Sequence, residues 1–291
     1  MKKVLLIASI AIIFASCEDG NPHEPSKNIE FQDPIAKVIC TLYWDLNKDG
    51  ELSYSEASVV TDIRSVFKDS SIITFNELKY FTGLTTIGES AFEYCSSLTS
   101  VTIPDSVTEI GEWAFSDCDS LTSITIPDSV TSIGGSAFRY CDSLRSVTIG
   151  DSVTTIGDDA FSSCDSLTSV TIPDSVTTIG GAAFCFCDSL TSVAIGNSVT
   201  TIGNESFAYC NSLTSVTIGS GVTTIGESAF QDCSSLTSVY CKAITPPAGG
   251  PYMFSYNASG RKIYVSMESV EAYKSASYWK YYADAIEGYN F

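Results

Sequence analysis

One histidine in 291 residues, and 15 lysines and arginines against 34 aspartates and glutamates, rule out several kinds of chemistry. The histidine is His23, so neither a histidine-based triad nor a histidine metal site can be assembled. Across residues 87–233 basic side chains nearly vanish: Arg139 and Arg145 stand against 18 acids, a formal charge of −16 out of −19 for the chain. Such a surface repels phosphate backbones and anionic lipid, which excludes nucleic acid as a partner. The same acid confers solubility and resists stacking between copies, and it attracts a basic partner or loosely held divalent cations. Gly249, Gly250 and Gly260 have no Lys-Ser or Lys-Thr after them, so no phosphate loop is present. The carboxylates recur in repeated turns with no unique pair set apart for glycoside chemistry. The chain reads as a non-enzyme.

What is present in excess is repetition. Ile87 opens a 23-residue phrase, IGESAFEYCSSLTSVTIPDSVTE, and the same residue returns at Ile110, Ile133, Ile156, Ile179, Ile202 and Ile225. Cysteine keeps step at Cys95, Cys118, Cys141, Cys164, Cys187, Cys210 and Cys233. A fixed period of this length means a solenoid, in which one coil cannot bury its apolar side chains without neighbours. Leu98, Val101 and Ile103 have the spacing of a leucine-rich repeat strand, and Val107 with Ile110 adds a second β-branched segment after the turn Pro104-Asp105-Ser106. Gly88 breaks that strand, and Ala91, Phe92 and Cys95 follow at helical spacing toward the core. Outward lie Thr99, Ser100, Thr102 and their repeats, ladders of hydroxyls that are either solvated strand residues or a flat polar platform. At about 4.8 Å per strand, seven coils predict a rod of roughly 35 Å.

Residues 45–56 carry a second signal. Asp45, Asn47, Asp49, Gly50 and Glu56 match D-x-[DN]-x-[DN]-G-x5-E. The expected ligands of one structural calcium ion are Asp45, Asn47, Asp49, the Glu51 carbonyl, Ser53 and bidentate Glu56. Helices are expected on both sides, over 34–43 with Ile35, Val38, Ile39 and Leu42 on one face, and over 54–63. Calcium sensors pair such loops, so a single loop points to a structural role; an acidic turn without metal is the alternative.

The ends carry an address. Met1-Lys2-Lys3 precedes an apolar run over 4–15 that is too short to span a membrane as a stable helix. Ala15-Ser16-Cys17 resembles the lipobox of bacterial lipoproteins, with Phe14 where leucine is usual, and implies acylation of Cys17. Secretion with cleavage nearby is the alternative. Glu18 and Asp19 resemble the acidic stretch that sends lipoproteins of Bacteroidetes to the outer face of the outer membrane. The domain limits expected are a signal peptide at 1–16, an acylated cysteine and tether at 17–32, the calcium-loop region at 33–72, an N-terminal capping coil at 73–86, the solenoid at 87–241 and a cap at 242–291. Seven of the 11 cysteines form one repeat column and read as buried free thiols, because parallel side-chain directions disfavour bridging. Cys185 occupies the place of Glu93, Ser116, Arg139, Ser162, Ala208 and Gln231 and is expected to face solvent.

The unit LTSVTIPDSVTxIGxxAFxxC, the exit CKAITPP and the closing KIYVSMESVEAYKSASYWKYYADAIEGYNF resemble the BspA-like leucine-rich repeat surface lipoproteins of Bacteroidetes. The expected fold is a leucine-rich repeat solenoid of short parallel β-strands with turns or short helices. An EF-hand-like helical region precedes it and an α/β cap closes it. The resemblance implies cell-surface adhesion through protein–protein contact, host matrix proteins being one such class, with the membrane reached only through the lipid anchor. It fixes no ligand. Surface glycan binding and a purely structural role are the alternatives. The candidate contact stripe is Tyr94, Tyr140, Phe186 and Tyr209, which share one outward position with Asp117, Ser163 and Asp232; packing between coils is its other explanation.

Overall fold

The computed structural model describes residues 27–291; the expected signal segment, Cys17 and His23 lie outside them. Each 23-residue copy closes one coil with three sides. In the central copy these are the strand Thr155–Ile156, a ribbon of turns through Phe161, and the strand Ser169–Ile172. Stacked coils make two parallel sheets of eight strands, one from Thr86–Ile87 to Ala248–Gly249, the other from Ser123–Thr125 to Ile286–Tyr289. Pairing follows the repeat: Thr178 sits between Thr155 and Thr201, and Ile179 between Ile156 and Ile202. The result is a β-solenoid of about nine turns with coils ~23 residues apart.

Nine turns exceed seven copies because both ends extend the stack. Thr74–Phe75 pairs with Ser100–Val101, and Ile63, Phe67 and Ile72 are already fully buried, so the first coil starts ahead of residue 73. At the far end Lys262–Ser266 adds to Ser238–Cys241, and Ile286–Tyr289 adds to Lys262–Ser266. The cap thus continues the sheet rather than standing apart from it.

The inward set is the expected one. Leu98, Val101, Ile103, Val107, Ile110, Ala91, Phe92, Cys95 and their repeats are buried, with Val147 only half-buried. The phenylalanines form a column of parallel rings, Phe138 on Phe161 at 5.1 Å and 2°, Phe161 on Phe184 at 5.2 Å and 7°. Near-parallel rings at this centroid distance are in offset stacking, worth about 0.5–1.5 kcal/mol beyond burial. Each cysteine thiol donates to the phenylalanine carbonyl of the coil before it, Cys164 to Phe138 at 3.2 Å and Cys187 to Phe161 at 3.2 Å. A small apolar side chain with one donor suits that place. All ten described cysteines are free.

The phenylalanine segment is not helical. Alternate amides bond within the coil (Ala91 to Gly88 at 3.2 Å, Glu93 to Ser90 at 3.3 Å). The others reach the next coil (Ser90 to Glu112 at 3.0 Å, Phe92 to Ala114 at 2.7 Å, Tyr94 to Ser116 at 2.9 Å). A helix would satisfy its amides internally and leave nothing for the neighbouring coil. The ribbon is held by two left-handed residues per coil, Ser90 at φ 56° and Tyr94 at φ 62° in the first. Each costs roughly 1–2 kcal/mol for a residue with a Cβ, offset by the bonds between coils.

Close stacking explains the glycine that follows each short strand from Gly111 to Gly226. A Cβ on Gly157 would lie 2.7 Å from the Gly134 carbonyl carbon. The turn glycines act differently. Where Pro104, Pro127 and Pro173 start the turn, the closing bond is 3.0–3.1 Å; with Gly150, Gly196 and Gly219 it is 3.2–3.4 Å, a slight loosening. On the short-strand side, Thr154 donates both its amide (2.8 Å) and its hydroxyl (3.0 Å) to the Thr131 carbonyl. The threonine hydroxyls on this side are therefore partly engaged within the solenoid.

At the N-terminal end α1 (Pro34–Trp44) is capped by Asp33. Its Oδ1 accepts from the amides of Ile35 and Ala36, while Oδ2 accepts from Ile73 and so ties the helix to the first coil. The helix packs mainly through a face other than the expected one: Ala36 and Cys40 are buried and Ile39 is half-buried against the core, whereas Ile35, Val38 and Leu42 are exposed. α2 (Tyr54–Ser58) has five residues and stops short of residue 63. The β-branched run Val59-Val60-Thr61 disfavours helix, and Val60 and Ile63 turn into the core instead.

Phe161→Ala, in the middle of the ring column, should lower stability by about 3–5 kcal/mol through the cavity it leaves. Thr168→Ala, at an exposed residue just ahead of the strand Ser169–Ile172 with one hydroxyl bond to the Arg145 carbonyl, should cost far less. Chemical denaturation followed by circular dichroism compares the two, and equal losses would show that the ring column does not carry the stack.

Candidate functional site

The turn ribbon is the side of the solenoid where outward residues vary while the core does not. Its left-handed residues fall in two columns, one through Ser90, Trp113, Ser136, Asp159, Ala182, Glu205 and Ser228, the other through the expected contact stripe. A left-handed backbone turns these side chains away from the core, which is why large aromatics occur here at φ near 60°. Tyr94, Tyr140 and Phe186 are 48%, 40% and 47% exposed, and Tyr209 is half-buried. The structure brings Phe186 and Tyr209 together, ring centroids 4.7 Å apart and 7° from parallel. Tyr94 and Tyr140 do not touch that pair, because the coils of Asp117 and Ser163 intervene. Packing between coils and outward display are thus both realised, in Phe186 and Tyr209.

Three residues join Tyr94 and Tyr140 that sequence reasoning did not place there. Trp113, 40% exposed, lies in the first left-handed column, where its neighbours are small or polar. Lys68 pairs with Glu93 (Nζ to Oε2, 2.5 Å) and lies 5.7 Å from the Tyr94 ring centre. The Arg139 guanidinium sits over the Tyr140 ring at 4.7 Å and donates to its hydroxyl at 3.0 Å. These side chains surround an open groove of about 430 Å³. The signal available in the sequence was the interruption of a column, one tryptophan among serines and acids.

Cys185 corrects an expectation. It is 3% exposed rather than solvent-facing. Glu93, Ser116, Ser162 and Ala208 in the same column are also buried, so the position points into the ribbon, and Arg139 and Gln231 are half-buried. Burial first, then the acidic Glu205 and Asp159 of adjoining coils, push the thiol up to about 12. It is held as an unreactive thiol.

The loop at 45–56 has a backbone suited to a tight turn, with Lys48 at φ 62° and Gly50 at φ 85°. Asp45 accepts from the amides of Lys48 (2.6 Å) and Gly50 (2.8 Å), and Asp49 from the amide of Glu51 (2.9 Å). Glu56 forms a capping box with Ser53 and also accepts from Leu46 (2.9 Å) and Asn47 (3.2 Å). Burial alone would raise the Glu56 carboxyl, but these donors from Ser53, Asn47 and Leu46 outweigh it and hold it below its ordinary value. Among the described residues no three His, Cys, Asp or Glu side chains converge on one point. The Asn47 amide nitrogen turns to Asp49, and the Glu51 carboxylate to Lys37. No helix among the described residues is long and apolar enough to cross a membrane.

Comparison with known proteins places this geometry in context. A model of the BspA type leucine rich repeat region, in six copies, matches residues 63–190 and 177–280. The chain is similar to a leucine rich repeat protein of T. pallidum, with 32% identity over 52% of this chain and 73% of that one and a TM-score of 0.49. A leucine rich cell surface protein of Faecalibacterium prausnitzii is 30% identical over 72% of this chain and 62% of its own length, with a TM-score of 0.42. A leucine-rich repeat protein of Eubacterium ventriosum is 23% identical over 67% of each chain, with a TM-score of 0.45. No curated protein matches.

Just beyond the ribbon, Asp119, Asp142, Asp165 and Asp188 stack in consecutive coils, and Asn211 closes the row by donating to Asp188 at 2.9 Å. Burial, and next the neighbouring Asp165, raise the carboxyl of Asp142; Asp142 in turn acts on Asp119, and Asp188 on Asp165. An acid raised in the folded state favours folding at low pH and loses that contribution as pH rises through its folded value. Asp142→Asn should therefore stabilise the chain at pH 7 by about 0.2–1 kcal/mol, less at high salt, and have no effect at pH 3. Thermal melts at the two pH values check this, and equal effects at both would contradict it.

Proposed function

Because the chain belongs to the BspA-type leucine-rich repeat family, we propose that it is a non-catalytic cell-surface binding protein whose turn ribbon takes a protein partner. Leucine-rich repeat solenoids are in general non-catalytic scaffolds that bind proteins. The observation that carries the reading is the Phe186–Tyr209 pair. Two stacked aromatic rings, Phe186 exposed and Tyr209 half-buried, stand on a rigid backbone, so little side-chain entropy is lost when a partner covers them. The acidic surface around them favours a partner with a basic patch and speeds encounter with it, and host matrix proteins are the class to try first. Cys17 is the proposed lipid anchor, holding the chain at the outer membrane with the solenoid exposed; its lipobox-like setting and the acidic Glu18-Asp19 support this. The Faecalibacterium relative is itself described as a cell surface protein.

One experiment addresses binding and anchoring together. Whole cells bearing the wild-type chain should retain labelled matrix protein, and cells bearing Cys17→Ala should not, because the chain is released. The purified Cys17→Ala protein should bind the same partner, and Phe186→Ser with Tyr209→Ser should weaken it at least tenfold. Unchanged affinity in the double variant would remove the ribbon pair from the site. Retention by Cys17→Ala cells would remove the anchor.

We infer in addition that the loop at 45–56 takes one calcium ion through Asp45, Asn47, Asp49, the Glu51 carbonyl, Ser53 and Glu56. Support comes from the donor chemistry, hard oxygens of three carboxylates, an amide, a hydroxyl and a carbonyl, on a loop already turned at Gly50. An ion held there would supply positive charge that lets these acids approach one another, a structural role at the mouth of the solenoid. Calorimetry of the full chain should find calcium binding and a higher melting temperature with excess calcium. Glu56→Gln should weaken binding at least tenfold without unfolding the repeats. Absence of binding at millimolar calcium, or no change in Glu56→Gln, would reduce the loop to an acidic turn.

A further inference from the structure

The groove beside Trp113 differs from the Phe186–Tyr209 pair in shape and in chemistry. In the stripe column Tyr94, Asp117 and Tyr140 follow one another on successive coils. Phenylalanine rings in adjoining coils are 5.0–5.1 Å apart here, so Tyr94 and Tyr140 stand about 10 Å apart, with only the short Asp117 between them. That opening is too wide for one flat aromatic ring in contact with both tyrosines, which needs about 7 Å at ordinary carbon–carbon separation. It suits a thicker puckered ring. Trp113 adds an exposed indole alongside, and the volume of about 430 Å³ falls in the range of small-molecule sites, about 300–1,000 Å³.

The polar groups of the groove alternate donor and acceptor. Arg139 makes no ion pair with any described carboxylate, and its Nε is buried without a hydrogen-bond partner. Its remaining donors are fixed in place by the stacking and hydrogen bond on Tyr140. Asp117 keeps one oxygen on the Ser116 hydroxyl at 2.7 Å, and Glu89 adds a second unpaired carboxylate. Lys68 and Glu93 neutralise each other. Three carboxylates against two cations disfavour a phosphate, a sulfate or an acidic sugar. A cationic ligand finds Lys68 and Arg139 already beside the Tyr94 and Tyr140 rings. What remains is a neutral ring with apolar C–H faces and hydroxyls that both donate and accept.

We propose that the groove formed by Tyr94, Trp113, Asp117, Arg139 and Tyr140 binds a neutral pyranose unit of a glycan. The ring lies against the aromatic side chains, Arg139 donates to its hydroxyls, and Asp117 with Glu89 accepts from them. The proposal rests on the turn ribbon being the binding side of the molecule, and it adds a ligand class and a site separate from the Phe186–Tyr209 pair.

The test uses the full chain carrying Cys17→Ala and a panel of neutral oligosaccharides (α-glucan, β-glucan, mannan and galactan hexasaccharides), with oligogalacturonate as the acidic arm. Calorimetry should find at least one neutral glycan bound with saturation. Trp113 fluorescence should change on binding, since Trp279 is buried, Trp44 is half-buried, and neither lines the groove. Trp113→Ala should weaken that binding tenfold or more, and so should Arg139→Gln, with melting temperatures near wild type because Trp113 projects into solvent. Phe186→Ser should leave it unchanged. No saturable binding of any neutral glycan at 10 mM, preference for oligogalacturonate, or full affinity in Trp113→Ala would overturn the assignment. In that event loss of matrix-protein binding in the Phe186 and Tyr209 variants would still stand, so the two readings fail separately.

Discussion

A spacing of about 5 Å between coils, imposed by the parallel hydrogen-bonded strands and matched by the column of phenylalanine rings, is the constraint on which the other features depend. Nine rings from Phe67 to Phe254 stack in succession at 5.0–5.4 Å. At that spacing backbones of adjoining coils meet, so from Gly111 onward the residue after each short strand has no space for a Cβ. The carbonyl beside each ring comes within reach of the next cysteine, and each threonine carbonyl within reach of the next hydroxyl. Ring, glycine, cysteine and threonine are four responses to one distance. This is also why a substitution in the ring column acts on every side of the coil, while one on the outer strand does not.

The same spacing governs the electrostatics. Any ionisable residue placed at a repeated position meets its own copy about 5 Å away, and the aspartate row from Asp119 to Asp188 is held under mutual repulsion. Where the chain breaks such a row it does so locally, with Asn211 after Asp188, Arg139 among small polar residues, and Trp113 among serines and acids. Two of those interruptions fall on one groove. Repetition supplies the frame, and departures from it supply the individuality of the surface.

Much of the fold was legible because burial repeats with the sequence. Leu98, Val101, Ile103, Phe92 and Cys95 recur unchanged or nearly so, and all face inward. The ribbon was not legible as such. Ala91, Phe92 and Cys95 have helical spacing, and nothing in residue type announces that Ser90 and Tyr94 adopt positive φ, since serine, aspartate, tyrosine and tryptophan all occur there. Cys185 was misread because charged or polar residues such as Glu93 and Arg139 share its column, although Glu93 is itself buried and pairs with Lys68. α1 was misread because its apolar residues outnumber its buried ones: Asp33 fixes the helix at Ile73 in an orientation that uses Ala36 and Cys40. In the site itself, the stripe from Tyr94 to Tyr209 was visible as a column, whereas Lys68 was brought to it by the coil geometry and Arg139 by its turn onto the neighbouring Tyr140.

The ring column ends in side chains set across its direction. Trp44 lies edge-on to Phe81 at 79° and tilted over Phe67, while Tyr282 lies at 80° to Phe254 and accepts from its backbone amide, beside Trp279. A parallel stack is a template that invites another layer; an edge-on ring offers no matching face and stops growth. Because both stops touch only the terminal coils, the number of coils between them is free to change. Gain or loss of one 23-residue copy alters the molecule by a single increment of about 5 Å and leaves the ends intact. The molecule is in this sense a ruler, and the distance from the groove at Trp113 to the pair at Phe186 is a length counted in whole coils.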